Sequence, residues 1–118
     1  MENEKIKSTT VIYINSELMG LGDEKLGVLL MSNFLSTLGE FVKEVSHILL
    51  VNSGVKLACE GSDKADSLVL LEEAGIKILS CGTCIKHFNL TDRVKAGQVS
   101  NMFTILQALT SADKILTL

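Results

Sequence analysis

Proline is absent from the whole 118-residue chain, and that absence bears at once on its one Cys-x-x-Cys, Cys81-Gly82-Thr83-Cys84. Thioredoxin-like folds set a cis-proline loop against such a pair, and without proline that loop cannot be built. Cysteine is scarce as well. Three cysteines, an odd number, argue against a secreted disulfide framework and fit a reducing compartment where thiols stay available. No cluster of basic residues forms a stripe for phosphate backbones, and 14 acidic against 11 basic side chains leave a net charge of -3, so nucleic acid is not an expected partner. Apolar runs stop at a charge or a glycine well short of the roughly 20 residues that cross a bilayer. The first residues, Met1-Glu2-Asn3-Glu4-Lys5, lack the apolar core of a secretion signal. The expectation is a cytoplasmic protein without a membrane segment. Gly20-Leu21-Gly22 lacks the third glycine of a dinucleotide fingerprint and no acidic residue closes the second strand; no cofactor is expected.

Hydrophobic residues make up 47% of the chain and mean hydropathy is +0.35. Such a composition suits a sheet covered on both faces or a subunit interface, so homo-oligomerisation is expected. The length suits one domain, taken as residues 9–118 behind a flexible tail at 1–8. Thr9 to Ile14, rich in β-branched side chains, reads as a first strand ending at Asn15-Ser16. Asp23 then caps a long helix on which Leu26, Leu29, Leu30, Phe34, Leu38, Phe41 and Val42 recur at helical spacing. His47 to Val51 is a buried strand closed by Asn52-Ser53-Gly54. Ser62 or Asp63 caps a helix that Gly75 ends, and a third strand, Ile76 to Ser80, delivers the cysteines. His87 to Gly97 reads as a short helical turn and loop. Ser100 or Asn101 caps a helix with Met102, Ile105, Leu106 and Leu109 on one side, and Asp113 to Leu118 is a terminal strand. Alternation of this kind predicts an α/β fold with a mostly parallel sheet of four or five strands between helices.

In that topology Asn15, the Asn52 to Gly54 turn and Cys81 to Cys84 all leave carboxyl ends of strands and meet on one rim, where α/β sheets place their ligands. A Cys-x-x-Cys there has three uses: cycling between dithiol and disulfide, carrying sulfur as a persulfide, or supplying half of a metal site. Amides of the Gly82-Thr83 turn would stabilise a thiolate on Cys81 as nucleophile, with Cys84 as its neighbour, and Gly82 lets backbone approach a ligand. The bland alternative is two small residues packing a loop. Asn52, Ser53, Gly54 and Lys56 could shape an anion or thiol pocket beside them, with lysine adding charge, or form an ordinary turn. Cys59 is either a buried small residue or a resolving thiol. With Cys59 and His87 the pair could make a tetrahedral zinc set, but a chain with this much apolar surface has no need of a structural metal, and none is expected. His47 is taken as structural, Glu60-Gly61-Ser62 as a helix start, and Asn101-Met102 as a cap followed by a core methionine.

Several blocks in order carry a resemblance: Met19 to Glu24, Asn52 to Leu57, Glu60 to Ser62, Ile78 to Cys84 and Gly97 to Met102. They resemble the C-terminal domain of YedF-type, sulfurtransferase-like selenium metabolism proteins, within the DsrE/DsrF-like superfamily. The resemblance spans roughly residues 9–118. It implies a three-layer DsrE-like α/β fold, homo-oligomers (dimer, trimer or hexamer), and a persulfide-carrying cysteine after the third strand, the position held by Cys81. The family's selenium link goes with a preceding TusA-like sulfur-carrier domain, which these 118 residues do not contain. The resemblance then implies either a trimmed or stand-alone version or a separate TusA-like carrier as partner, and the implied activity is a sulfurtransferase or sulfur carrier. Two rival readings stand beside it: a non-catalytic oligomeric interaction module, and a dithiol redox protein using Cys81 and Cys84.

Overall fold

A computed structural model describes residues 9–118; the tail expected at residues 1–8 lies outside the described residues. The β-branched segment Thr10–Ile14 forms β1, Val45–Leu50 forms β2, Lys77–Cys81 forms β3, Gln98–Ser100 forms β4 and Lys114–Thr117 forms β5. They make one sheet in the order β4-β3-β2-β1-β5, and every pairing is parallel. The crossovers are helices α1 (Glu24–Leu38), α2 (Ala65–Glu73), α3 (Gly82–His87) and α4 (Met102–Thr110). Steps from β1 through β4 run one way along the sheet and the step to β5 runs back. Right-handed crossovers therefore place α1 and α2 on one face and α4 on the other. The expected α/β sandwich with helices on both faces is what forms.

Side-chain alternation records how differently the two faces are covered. Ile12, Ile48 and Ile78 share a register, point under α1 and α2, and are each no more than 2% exposed. On the opposite face, spanned by the single nine-residue helix α4, Val11 and Leu49 are fully buried whereas Tyr13, His47 and Leu79 are half-buried. Burying one Ile or Leu fully is worth about 1.5–3 kcal/mol, and the sheet supplies such residues to both faces, Ile12, Ile48 and Ile78 on one and Val11 and Leu49 on the other.

Local chemistry sets the boundaries. Asp23 Oδ1 accepts the Leu26 N–H at 2.8 Å to start α1, and Asn101 Oδ1 accepts the Thr104 N–H at 2.9 Å to start α4. Gly75, at φ +112°, releases α2 in the left-handed conformation a side chain would resist. Several details differ from the sequence expectation. Helix α1 buries Gly27, Met31, Leu35 and Leu38, while Leu26 and Leu29 of the anticipated stripe are 51% and 56% exposed. Close approach decides this, since a Cβ on Gly27 would lie 3.1 Å from the Leu18 Cβ. The α-helix ends at Leu38 and gives way to a single 3-10 turn, Gly39–Phe41. Ser62 does not cap α2 directly; its Oγ accepts the Lys64 N–H and the helix begins at Ala65. On α4 only Ile105 is buried, and Met102, expected in the core, is 55% exposed. The short strand β4 occupies a stretch, residues 98–100, to which the sequence assigned no element.

Candidate active site at the carboxyl edge of the sheet

Parallel register brings the ends of β1, β2 and β3 level, with Ile14 beside Leu50 and Leu50 beside Ser80. The three loops that follow therefore share one edge. After β2 the chain tightens into a 3-10 segment, Asn52–Ala58. Gly54 makes that possible: a Cβ there would collide with the Ile14 carbonyl oxygen, so only glycine lets the segment tuck against the end of β1. Asn52 is held at φ +51°, a left-handed state that asparagine tolerates better than most residues, and its Oδ1 accepts the Ser53 N–H at 2.8 Å. Ser53 Oγ in turn accepts the Glu17 N–H at 3.2 Å, tying the first and second loops together.

Cys81 closes β3 and caps α3, its Sγ accepting the Cys84 N–H at 3.4 Å. Cys84 Sγ accepts the Asn52 N–H at 3.1 Å. The two thiols are free and lie near each other, joined through the Cys84 N–H on Cys81 Sγ. They differ in access, for Cys81 is 4% exposed whereas Cys84 is half-buried and lines a cavity of about 280 Å³ with Asn52, Thr83, His87 and Phe88. Burial pushes the Cys84 thiol above its ordinary range, the hydrogen bond to Cys81 pushes it further, and the Asn52 N–H pulls the other way. Cys84 is thus the thiol that a ligand meets, and Cys81 the sulfur behind it. Gly82 is needed at this corner, where a Cβ would stand 2.8 Å from the Ser100 carbonyl oxygen.

Of the remaining expected residues, Lys56 and Cys59 line a neighbouring cavity, and Ser53, Gly54 and Gly82 line neither. Lys56 does not line the thiol cavity; its Nζ lies 4.5 Å above the Phe88 ring centroid and 3.6 Å from Glu17 Oε2. It helps to wall a second cavity of about 640 Å³, together with Glu17, Leu18, Cys59, Glu60, Lys64 and Leu90 among others. Asn15 is exposed on the same edge but lines neither cavity. Cys59 is 1% exposed and donates to the Val55 carbonyl at 3.3 Å; burial, then the charge of Glu60, raise its pKa. It shares a cavity with Lys56, not with the thiol pair. His47 lies within β2, two residues after its start, and its pKa is lowered by burial and by Lys77. Among the described residues no three His, Cys, Asp or Glu side chains gather as a metal site, and no helix is long and apolar enough to cross a membrane. Phe88 and Glu17 went unmarked in the sequence, because each is a lone residue in a loop with no periodicity to flag it.

Three solved structures share this architecture. The YchN protein from E. coli is 14% identical over 96% of this chain and 100% of its own, with a TM-score of 0.69. MTH1491 from Methanobacterium thermoautotrophicum, a protein of unknown function, is 16% identical over 95% of this chain and 100% of its own, at 0.70. BT1422 from Bacteroides thetaiotaomicron, also of unknown function, is 20% identical over 94% and 95%, at 0.63. At such identities the likeness is one of fold. No curated protein matches. The model of the DsrE/DsrF-like family matches residues 14–118, which include the whole of the thiol edge, and the chain belongs to that family.

Proposed function

We propose that this protein is a sulfur-relay protein of the YedF type, carrying sulfane sulfur on the Cys81 and Cys84 pair in the reducing cytoplasm. The observation that supports the reading is the pair of neighbouring free thiols at the carboxyl edge, Cys84 opening on a cavity and Cys81 buried at the start of the same turn, where its Sγ accepts the Cys84 N–H. In the first step the Cys84 thiolate attacks the outer sulfur of a donor persulfide, R–S–SH. The donor's S–S bond breaks, R–S⁻ leaves and Cys84 becomes Cys–S–SH with no net oxidation. In the second, the Cys81 thiolate attacks that same outer sulfur, Cys84 regains its thiol, and the persulfide rests on Cys81 beside the Cys84 N–H. Selenium at the same oxidation level would follow the same two displacements. The protein acts as a homo-oligomer, for which the exposed apolar side chains of α1 and α4 provide surface, and exchanges sulfur with a TusA-like carrier.

Incubation of the reduced protein with a persulfide donor, followed by intact mass and peptide mapping, tests the proposal. One added sulfur on the wild type, trapped on Cys84 in Cys81→Ser and absent from Cys84→Ser, is the expected result. A wild type that gains no sulfur while a control carrier does would remove the idea. The thiol contact equally favours a second reading, a reversible Cys81–Cys84 disulfide, and a redox titration resolved by mass distinguishes the two.

A further inference from the structure

The larger cavity, of about 640 Å³, lies within the 300–1,000 Å³ that small-molecule sites occupy, and the thiol chemistry makes no use of it. Its wall touches the thiol cavity at one place, where the Lys56 ammonium stacks on Phe88: Lys56 lines the large cavity and Phe88 the small one. Charges around it are mixed. Lys56 and Lys64 face Glu17, Glu60 and Asp63, and Leu18, Val28, Leu57 and Leu90 supply apolar lining. One ion pair is committed, since Lys64 Nζ holds Asp63 Oδ1 at 2.9 Å with the lysine side chain only 9% exposed. The other is loose. Lys56 and Glu17 stand 3.6 Å apart with side chains 41% and 43% exposed, a pairing that contributes little by itself and exchanges readily for a ligand's charges.

Carboxylates outnumber ammonium groups here, so a small polyanion such as thiosulfate meets net repulsion. A molecule carrying both an ammonium and a carboxylate can satisfy Lys56 with one end and Glu17 or Glu60 with the other. We propose that this cavity binds a zwitterionic, amino-acid- or peptide-derived low-molecular-weight persulfide, whose sulfur arm reaches Cys84 past the Lys56 and Phe88 stack. The inference rests on the sulfur-relay reading and names its donor class.

Binding is tested without transfer, on the Cys81→Ser/Cys84→Ser protein, by titration calorimetry with three probes. These are S-methylated γ-glutamyl-cysteinyl-glycine, the same peptide with its amine acetylated, and thiosulfate. The zwitterion is expected to bind saturably, with affinity about tenfold lower after acetylation or in Lys56→Gln, a loss equivalent to about 1.4 kcal/mol. Glu60→Gln, on an exposed side chain, gives a second reading should Lys56→Gln disturb the Phe88 packing. No saturable binding of the zwitterion, or equal binding of thiosulfate or of the acetylated peptide, overturns the inference. Sulfur loading of Cys84 from inorganic polysulfide in the wild type reports separately on the relay. Loading without peptide binding defeats the donor assignment alone, and peptide binding without loading from any donor defeats the relay alone.

Discussion

Asn52 donates its backbone N–H to Cys84 Sγ at 3.1 Å from a left-handed conformation with φ +51°. A residue that few side chains tolerate in that state thus aims a donor at the accessible thiol. The two properties are separable by substitution. Asn52→Gly keeps the conformation and the N–H, so the thiol titrates as in the wild type. Asn52→Ala meets a conformational cost of about 1–2 kcal/mol, relaxes away from Cys84, and leaves its thiol without the donor that does most to lower its pKa. Thiolate absorbance against pH is expected to place Cys84 higher in Asn52→Ala than in Asn52→Gly; equal curves would mean the N–H does not act on the sulfur.

The raised pKa of Cys84 also sets the direction of a pH effect. Burial and the Cys81 hydrogen bond favour the protonated thiol, so the folded chain holds this proton more tightly than the unfolded one. The stabilisation it brings is complete below the ordinary thiol range and lost as pH rises through the folded value. Alkylation of Cys84 should be slow at neutral pH and accelerate into the alkaline range. Cys81→Ala removes the partner and leaves the burial, so the Cys84 profile shifts part of the way down. The same change removes the sulfur that accepts the Cys84 N–H at the start of α3, an acceptor that Cys81→Ser retains as a hydroxyl. An alkylation profile unmoved by Cys81→Ala would show that the two sulfurs are uncoupled.

Much of the frame was legible because it depends on local rules. Asp23 announced its helix as a cap, Ser100 or Asn101 announced α4, Gly75 marked the end of α2, and β-branched and apolar runs marked β1 and β2, so the edge joining residues 52–54 to 81–84 followed from chain order. What escaped depends on distant contacts. Gly27 turned α1 so that Leu26 and Leu29 face outward, a choice made by Leu18 and not by periodicity. Three-residue β4 is too short to carry an alternation, and it exists because it can hydrogen-bond to β3. The roles of the two thiols were invisible too, since identical residues three apart differ only in what the fold stacks over them.

Gly54 and Gly39 give opposite forecasts for the same Gly→Ala change. At Gly54 the added methyl runs into the Ile14 carbonyl and lies 3.4 Å from the Ser16 N, which is backbone and cannot swing aside. Overpacking of that kind costs about 1–3 kcal/mol and displaces Asn52 from Cys84. Gly39 has φ -57° and nothing within 4 Å of where an added methyl would stand, so Gly39→Ala gains about 0.4–1 kcal/mol through the unfolded chain. Urea unfolding of both variants, with Cys84 alkylation as a second readout, should show Gly54→Ala less stable and altered in reactivity. Equal stability of the two would contradict the close approach described at β1.

The outer side of α4 carries the last forecast. Met102, Phe103 and Leu106 are 55%, 74% and 54% exposed, and Val99, 50% exposed, precedes them on β4, beside the glycine that opens the thiol turn. Such a patch is costly in water for a protein that stays alone. If homo-oligomers form through it, sedimentation velocity should show larger species as concentration rises, and Phe103→Glu should shift the distribution towards monomer. Because Phe103 packs against little within its own chain, the substitution should change monomer stability by no more than about 0.5 kcal/mol. Leu29→Glu, on the exposed stripe of α1, puts the same charge on a different face and separates a specific contact from general stickiness. A wild type that sediments as monomer at every concentration would assign the patch another partner, whereas loss of assembly in Phe103→Glu but not in Leu29→Glu would fix α4 as the contact and bring a neighbouring copy up to the rim of the cysteine site.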